Sequence, residues 1–165
     1  MHEDLDRCAK MLKKAGCSAK VVAHCRAVCA CALEYAEKDP FADRHLVTCG
    51  AMLHDIGRGS THSIRHGQAG ADLLRSMNVP EPVARIIERH TGAGLTPDEC
   101  TLLGLLPRNC MPETTEEKIV THADNLIAGV SRVGIAESIA SAIYLKKTIR
   151  KRMYRLAQDV ELLCP

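Results

Sequence analysis

Leu46-Val47-Thr48-Cys49-Gly50-Ala51-Met52-Leu53-His54-Asp55-Ile56-Gly57 is the stretch on which the reading of this chain turns. Leu46, Cys49, Leu53 and Ile56 recur at helical spacing, which predicts a helix from near Asp43 to Gly57 with that stripe on the core. Gly57 fits a left-handed residue closing the helix and letting the chain turn away. His54 and Asp55 fall beside the buried stripe, near the helix end. Adjacent helical positions lie about 100° apart, so both side chains reach one ion lying against that end.

Outward from this stretch the chain reads as helix almost throughout. Strand-like alternation never persists. A helix over about 3–15 stops at Gly16, and Ser18 caps a long one to about Lys38, ended by Asp39-Pro40. Loop residues Arg58 to Ser63 precede a helix to about Met77, and another runs from about Pro80 to His90. Thr96-Pro97-Asp98-Glu99 and Thr114 to Glu117 are capping boxes. The second opens a helix to about Ser131, and a terminal helix fills about 136–163. The expected fold is all-α: one domain over 1–165, six to eight helices, with a motif-bearing core over about 18–132.

The 165 residues are 46% hydrophobic, with no Trp, one Phe and three Tyr. That content excludes intrinsic disorder, and the missing aromatics argue against a platform that stacks bases. Twenty-two basic against 20 acidic residues leave a charge of only +2, so no whole-chain footprint for nucleic acid or membrane exists. No apolar run reaches a membrane span. Nine cysteines without a Cys-x-x-Cys pair are read as small packing residues in a reducing cytoplasm, and that is the expected location.

Eight histidines are the more informative excess. His24 falls on the stripe Val21, His24, Val28, Cys31, Tyr35. His66 opens His66, Gly70, Leu73, Leu74, Met77, and His90 closes Val83, Ile86, Ile87, His90. Asp124 lies on Val120, Asp124, Ile127, Ser131. A single inward histidine is more often a satisfied core residue than a ligand. An inward carboxylate is different, because it is costly to bury unpaired and no Lys or Arg recurs on these stripes. A metal ion would satisfy it and give the converging imidazoles a common partner.

His24, then His54-Asp55, then Asp124 resembles the order of the HD superfamily of metal-dependent phosphohydrolases, over about residues 18–132. His66-Gly67-Gln68-Ala69-Gly70-Ala71 and Ile87-Glu88-Arg89-His90-Thr91-Gly92 resemble the extra histidine motifs of its binuclear members. The pattern is similar to that of the symmetrical diadenosine tetraphosphate hydrolases, with the cyclic-di-GMP phosphodiesterases a second relative. The chain departs from the latter in lacking Gly-Tyr-Pro and in having Thr91 where a second adjacent His would stand. Arg58 replaces a frequent Lys. The tract Leu105 to Leu126 resembles an uncharacterised archaeal HD subgroup.

The resemblance implies a first metal site of His24, His54, Asp55 and Asp124, with His66 and His90 completing a second and Asp55 bridging. Nitrogen and oxygen donors without thiolate suit iron(II), manganese or cobalt at least as well as zinc, with nickel and magnesium also compatible. Two divalent ions would generate a bridging hydroxide for attack on phosphorus, making the chain a phosphohydrolase of a small phosphorylated metabolite or nucleotide. Two substrate types stay open, a nucleotide phosphoanhydride and a 2′,3′-cyclic phosphate of a pterin or nucleotide. A di-iron oxygenase and a non-catalytic nucleotide sensor are the rivals from other classes.

Arg58 is read either as a phosphate grip or as a solvated loop charge. His62 is a candidate general acid or a surface histidine, and Asn125 and Arg132 either line the pocket or serve as cap and solvated charge. His122, two positions before Asp124, lies on the opposite side of the helix and is excluded as a ligand. Ile149, Met153, Leu156, Val160 and Leu163 form a seam spaced 4, 3, 4, 3. It is expected to pack on the first helix, with a homodimer as the alternative. The basic residues between Lys146 and Arg155 spread away from that seam, as a solvated face does, and no nucleic-acid partner is expected.

Overall fold

A computed structural model describes residues 2–162, and the side chains of 3–162. Four helices, α2, α3, α6 and α7, begin at the capping residues read from the sequence. Ser18 accepts a hydrogen bond from the Val21 amide to open α2 (Ala19–Ala36), after α1 (His2–Lys14). Asp43 accepts from the amides of His45 and Leu46 at 2.9 and 3.0 Å to open α3 (Arg44–Leu53). A 3-10 turn (Ile56–Gly59), α4 (His66–Ser76) and α5 (Glu81–Arg89) follow. Both capping boxes form reciprocally, opening α6 (Pro97–Leu102) and α7 (Thr115–Asn125). A short antiparallel hairpin, β1 (Ile127–Ala128) and β2 (Ser131–Arg132), leads to α8 (Ile135–Ser141) and α9 (Lys147–Glu161). The fold is all-α.

α3 is central, in contact with α1, α2, α5 and α7. Its buried residues join those of α1, α2, α4, α5 and α7 in one aliphatic core that includes Leu12, Val28, Met52, Leu53, Leu74, Ile86, Ile87 and Ile119. Seven of the eight described cysteines are buried and free, as packing residues should be.

Five expectations are corrected. The α-helix ends at Leu53, not Gly57, and His54 occupies the C-cap. Gly57 is not in the left-handed region. It is required by close approach instead: a Cβ there would stand 2.0 Å from the His66 carbonyl oxygen and 2.8 Å from the Gly70 nitrogen. α7 ends at Asn125, six residues before the expected Ser131, because Gly129 takes a positive φ of 65° and opens a two-residue hairpin loop.

The terminal helix is two helices. Turning back between them brings Ala142 and Leu145 against Met153 and Leu156 in a second apolar cluster, burying surface that one straight helix would expose. The 4-3-4-3 seam therefore packs on α7 and α8 rather than on the first helix. Met153, Leu156 and Val160 are buried within the chain, while Leu163 lies outside the described residues. Lys118–Asp159, His122–Glu161 and Arg152–Glu99 contacts fasten α9. Among the described residues no helix is long and apolar enough to cross a membrane.

Candidate metal centre

Five elements bring His24, His54, Asp55, His66, His90 and Asp124 together. His54 and His90 are the C-cap residues of α3 and α5, and each ring bonds its helix's own terminal carbonyl three residues back. Nδ1 of His54 reaches the Ala51 oxygen at 2.7 Å, and Nδ1 of His90 reaches that of Ile87 at 2.7 Å. Those carbonyls have no partner inside the helix, so the imidazoles satisfy them. His66, first residue of α4, bonds the Ser63 carbonyl at 2.8 Å, and His24 on α2 bonds that of Gly129 at 2.8 Å. The hairpin that ends α7 early thus supplies the acceptor that orients His24.

A carbonyl only accepts, so every Nδ1 carries the hydrogen and each Nε2 can ligate when its ring is neutral. The four Nε2 atoms face one cluster. Consecutive ring centroids along His24, His54, His90 and His66 are 5.2, 5.0 and 5.1 Å apart. Asp124 Oδ1 lies 3.0 Å from His24 Nε2 and 3.4 Å from His54 Nε2. Asp55 spans the middle: Oδ1 is 3.2 Å from His66 Nε2 and 3.8 Å from His90 Nε2, while Oδ2 is 3.8 Å from His54 Nε2.

Three observations fit a cation here. The buried Nε2 of His54 has no hydrogen-bond partner, a state rare in proteins unless an ion or water completes it. Nε2 of His66 and of His90 stand 3.1 Å apart with both Nδ1 hydrogens already engaged. Two triads, His24-His54-Asp124 and His54-Asp55-His90, each hold their donor atoms within 4.8 Å of one another.

The electrostatics divide the rings: against their burial, Asp124 raises His24, and Cys25 with Asp124 raises His54 well above the ordinary imidazole range, whereas the other two rings are lowered. Burial, with the neighbouring His54 and His66, pushes His90 down to about 4, so this ring stays neutral and ready to ligate at neutral pH. Burial lowers His66 as well. Burial would raise Asp124, yet His54 and the His24 hydrogen bond outweigh it and hold the carboxyl well below the ordinary range. Asp55 is likewise lowered against its burial, by His54 and His90.

The remaining candidates divide. Arg58 is at the site: its Nε donates to Asp55 Oδ1 at 3.0 Å, and a second nitrogen donates to the His62 carbonyl at 2.8 Å. Its side chain is 28% exposed beside Asp55 at 11%, which puts it at the mouth. His62 contributes that carbonyl, and its residue is exposed. Asn125 donates to the Gly92 carbonyl, tying the end of α7 that carries Asp124 to the loop after His90. Arg132 is not brought to the cluster: it pairs with Glu34 and reaches the Tyr35 hydroxyl. His122 points to Glu161, on the far side of α7.

Two residues missed in the sequence also position the centre. Arg89, next to His90, is buried and grips both Glu117 oxygens at 3.1 and 2.9 Å, with Glu113 at 2.9 Å. The pair locks the end of α5 to the start of α7. Glu117 was legible as a capping-box residue, but its second partner lies 28 positions away and left no local signal.

A family model described as HD domain matches residues 21–129. An uncharacterised protein of Methanocaldococcus jannaschii is 50% identical over 127 residues, covering 74% of this chain and 75% of its own. Two proteins named tRNA (cytidine(56)-2′-O)-methyltransferase are also similar. That of Picrophilus torridus is 46% identical over 76% of this chain, and that of Thermoplasma volcanium 41% over 94%. The match spans only 36% and 45% of those two relatives' lengths. The HD domain of the L. monocytogenes phosphodiesterase PgpH shares the fold, with a TM-score of 0.59 at 18% identity over 94% of this chain and 96% of that one. In its complex with cyclic-di-AMP the values are 0.60, 16%, 95% and 95%.

Proposed function

The chain belongs to the HD domain family, and from that premise we propose that it is a metal-dependent phosphohydrolase with a two-ion centre. The observation that carries this reading is the convergence of four Nε2 atoms and two carboxylates, each ring fixed by a backbone carbonyl. His24, His54 and Asp124 would hold one ion, and His66 and His90 the other, with Asp55 shared between them. Bound divalent ions would supply Lewis acidity and an activated water near neutral pH. Donors of nitrogen and oxygen favour iron(II) or manganese.

The chain's own residues supply the rest. Carbonyl bonds at Nδ1 fix each ring, so little reorganisation is needed on loading. Arg58, at the mouth, offers a guanidinium to a phosphate oxygen while its Asp55 contact holds it in place. His62 and Arg132 stand off the cluster and have no part in the reading.

A nucleotide substrate is favoured over other phosphoesters. Two relatives bear the name of a tRNA-modifying enzyme, and the PgpH domain of shared fold binds cyclic-di-AMP. The 2′,3′-cyclic phosphate of a nucleotide and a nucleotide phosphoanhydride both remain within this class. The test is an anaerobic screen of manganese- and iron-loaded protein against 2′,3′-cyclic AMP, cyclic-di-AMP and diadenosine tetraphosphate. Turnover of one, lost on chelation and restored by the metal, is expected. Tight nucleotide binding without turnover under both metals would replace the enzyme with a sensor.

A further inference from the structure

α1 and α3 face each other with matching pairs. α1 presents Asp4 and Cys8, and α3 presents His45 and Cys49, each pair four residues apart and therefore on one helical face. All four line a cavity of about 410 Å³ whose walls are otherwise largely apolar, including Met11, Leu46 and Val83. Cys49 Sγ lies 3.8 Å from His45 Nε2, and His45 Nδ1 lies 3.5 Å from Asp4 Oδ2. An acid thus orients an imidazole, whose other nitrogen faces a thiol, an arrangement that activates sulfur nucleophiles. Cys8, buried at the back, lines the same cavity from α1 as Cys49 does from α3.

We propose that Cys49 and Cys8 form a second chemical site, a dithiol that reacts with hydrogen peroxide entering this cavity. Cys49 is the nucleophile. Its thiolate attacks one peroxide oxygen, the O–O bond breaks, and the leaving hydroxide takes a proton from His45 to depart as water. The Cys8 sulfur then attacks the resulting sulfenic acid, the S–O bond breaks, and a second water leaves. Two thiols are oxidised to one disulfide and one peroxide is reduced to two waters, so the step balances.

The charges around Cys49 support this assignment. Neighbouring Cys8, with His45 and Arg7, outweighs burial and Asp4 and holds the Cys49 thiol below the ordinary thiol range. Asp43, at the start of α3, is the further charged group on the cavity wall. Cys100 and Cys110 lie 4.0 Å apart, yet both are buried and neither has an imidazole partner among the described residues.

The test uses the full chain, with and without a chelator. One equivalent of hydrogen peroxide is added, followed by peptide mapping under non-reducing conditions. A Cys8–Cys49 disulfide is expected as the main product, absent in Cys49→Ser. In parallel, iodoacetamide labelling of each cysteine is followed against pH. Cys49 should label about tenfold faster at pH 7 than an ordinary thiol. Its midpoint should rise in His45→Asn, a variant at an exposed position that does not depend on refilling the core. A disulfide formed at Cys100–Cys110 instead, or a Cys49 midpoint no lower than that of an ordinary thiol, overturns the proposal.

Discussion

His66 and His90 present Nε2 to Nε2 at 3.1 Å while both Nδ1 atoms face backbone carbonyls. Two lone pairs so placed repel unless something positive lies beside them, and burial keeps His90 from taking a proton near neutral pH. A cation bound between them would relieve that repulsion. His66→Ala should lower the metal content by about one ion per chain while leaving the ion held by His24, His54 and Asp124. Metal analysis after gel filtration checks this, and an unchanged content would remove His66 from the ligand set.

Gly57 controls the centre without offering a donor. Its missing side chain lets the 3-10 turn lie against the start of α4, where His66 sits. Gly57→Ala forces backbone apart and should cost at least about 1–3 kcal/mol, as overpacking does. Denaturant unfolding would show that loss, with weaker metal retention beside it. A variant of unchanged stability would mean that the close approach is not needed.

The Arg89–Glu117 pair is buried, so removing one partner strands the other. Arg89→Met should destabilise the fold by about 3–5 kcal/mol in urea titrations. The double change Arg89→Met with Glu117→Gln should recover a large part of it, since the uncompensated charge is then gone.

Much of this framework was legible in the sequence. Ser18, Asp43, Thr96 and Thr114 announce their helices because capping is local chemistry, resolved within three residues. The inward stripes placed His24, His66, His90 and Asp124 on core-facing surfaces, and the folded chain brings them to one point. Long-range partners were not legible. Nothing near His24 announces the Gly129 carbonyl, 105 residues away, and nothing near Arg132 announces Glu34. The terminal helix reads as continuous because its break contains neither Gly nor Pro. It turns only because Ala142 and Leu145 gain cover from Met153 and Leu156.

Glu88 sets a pH dependence of stability. Burial raises its carboxyl, but hydrogen bonds from Arg75 and Arg108 outweigh that and hold it below its ordinary value of 4.5. A carboxylate lowered in the folded state stabilises above its unfolded value and loses that contribution as the pH falls through the folded one. Stability should therefore drop below about pH 4.5, and Glu88→Gln should flatten the drop. Thermal melts across pH 3–6 compare the two, and identical slopes would mean that Glu88 is not the group responsible.

Arg58→Ala should leave metal content unchanged and reduce kcat/KM on a phosphodiester roughly ten- to a hundredfold, the loss of one charge-assisted contact. Arg58→Lys restores charge without the bidentate grip and should recover only part. Equal activity in all three would make Arg58 a loop charge that merely accompanies Asp55.

The most direct measurement is hydrolysis of a generic phosphodiester by the metal-loaded chain under nitrogen, beside Asp55→Ala, with metal content and helical signal recorded on both. The expected result is metal-dependent, oxygen-independent turnover in the natural chain. In the variant, turnover and bound metal should both be lost with helicity retained. Hydrolysis that survives Asp55→Ala would contradict the assignment of the centre.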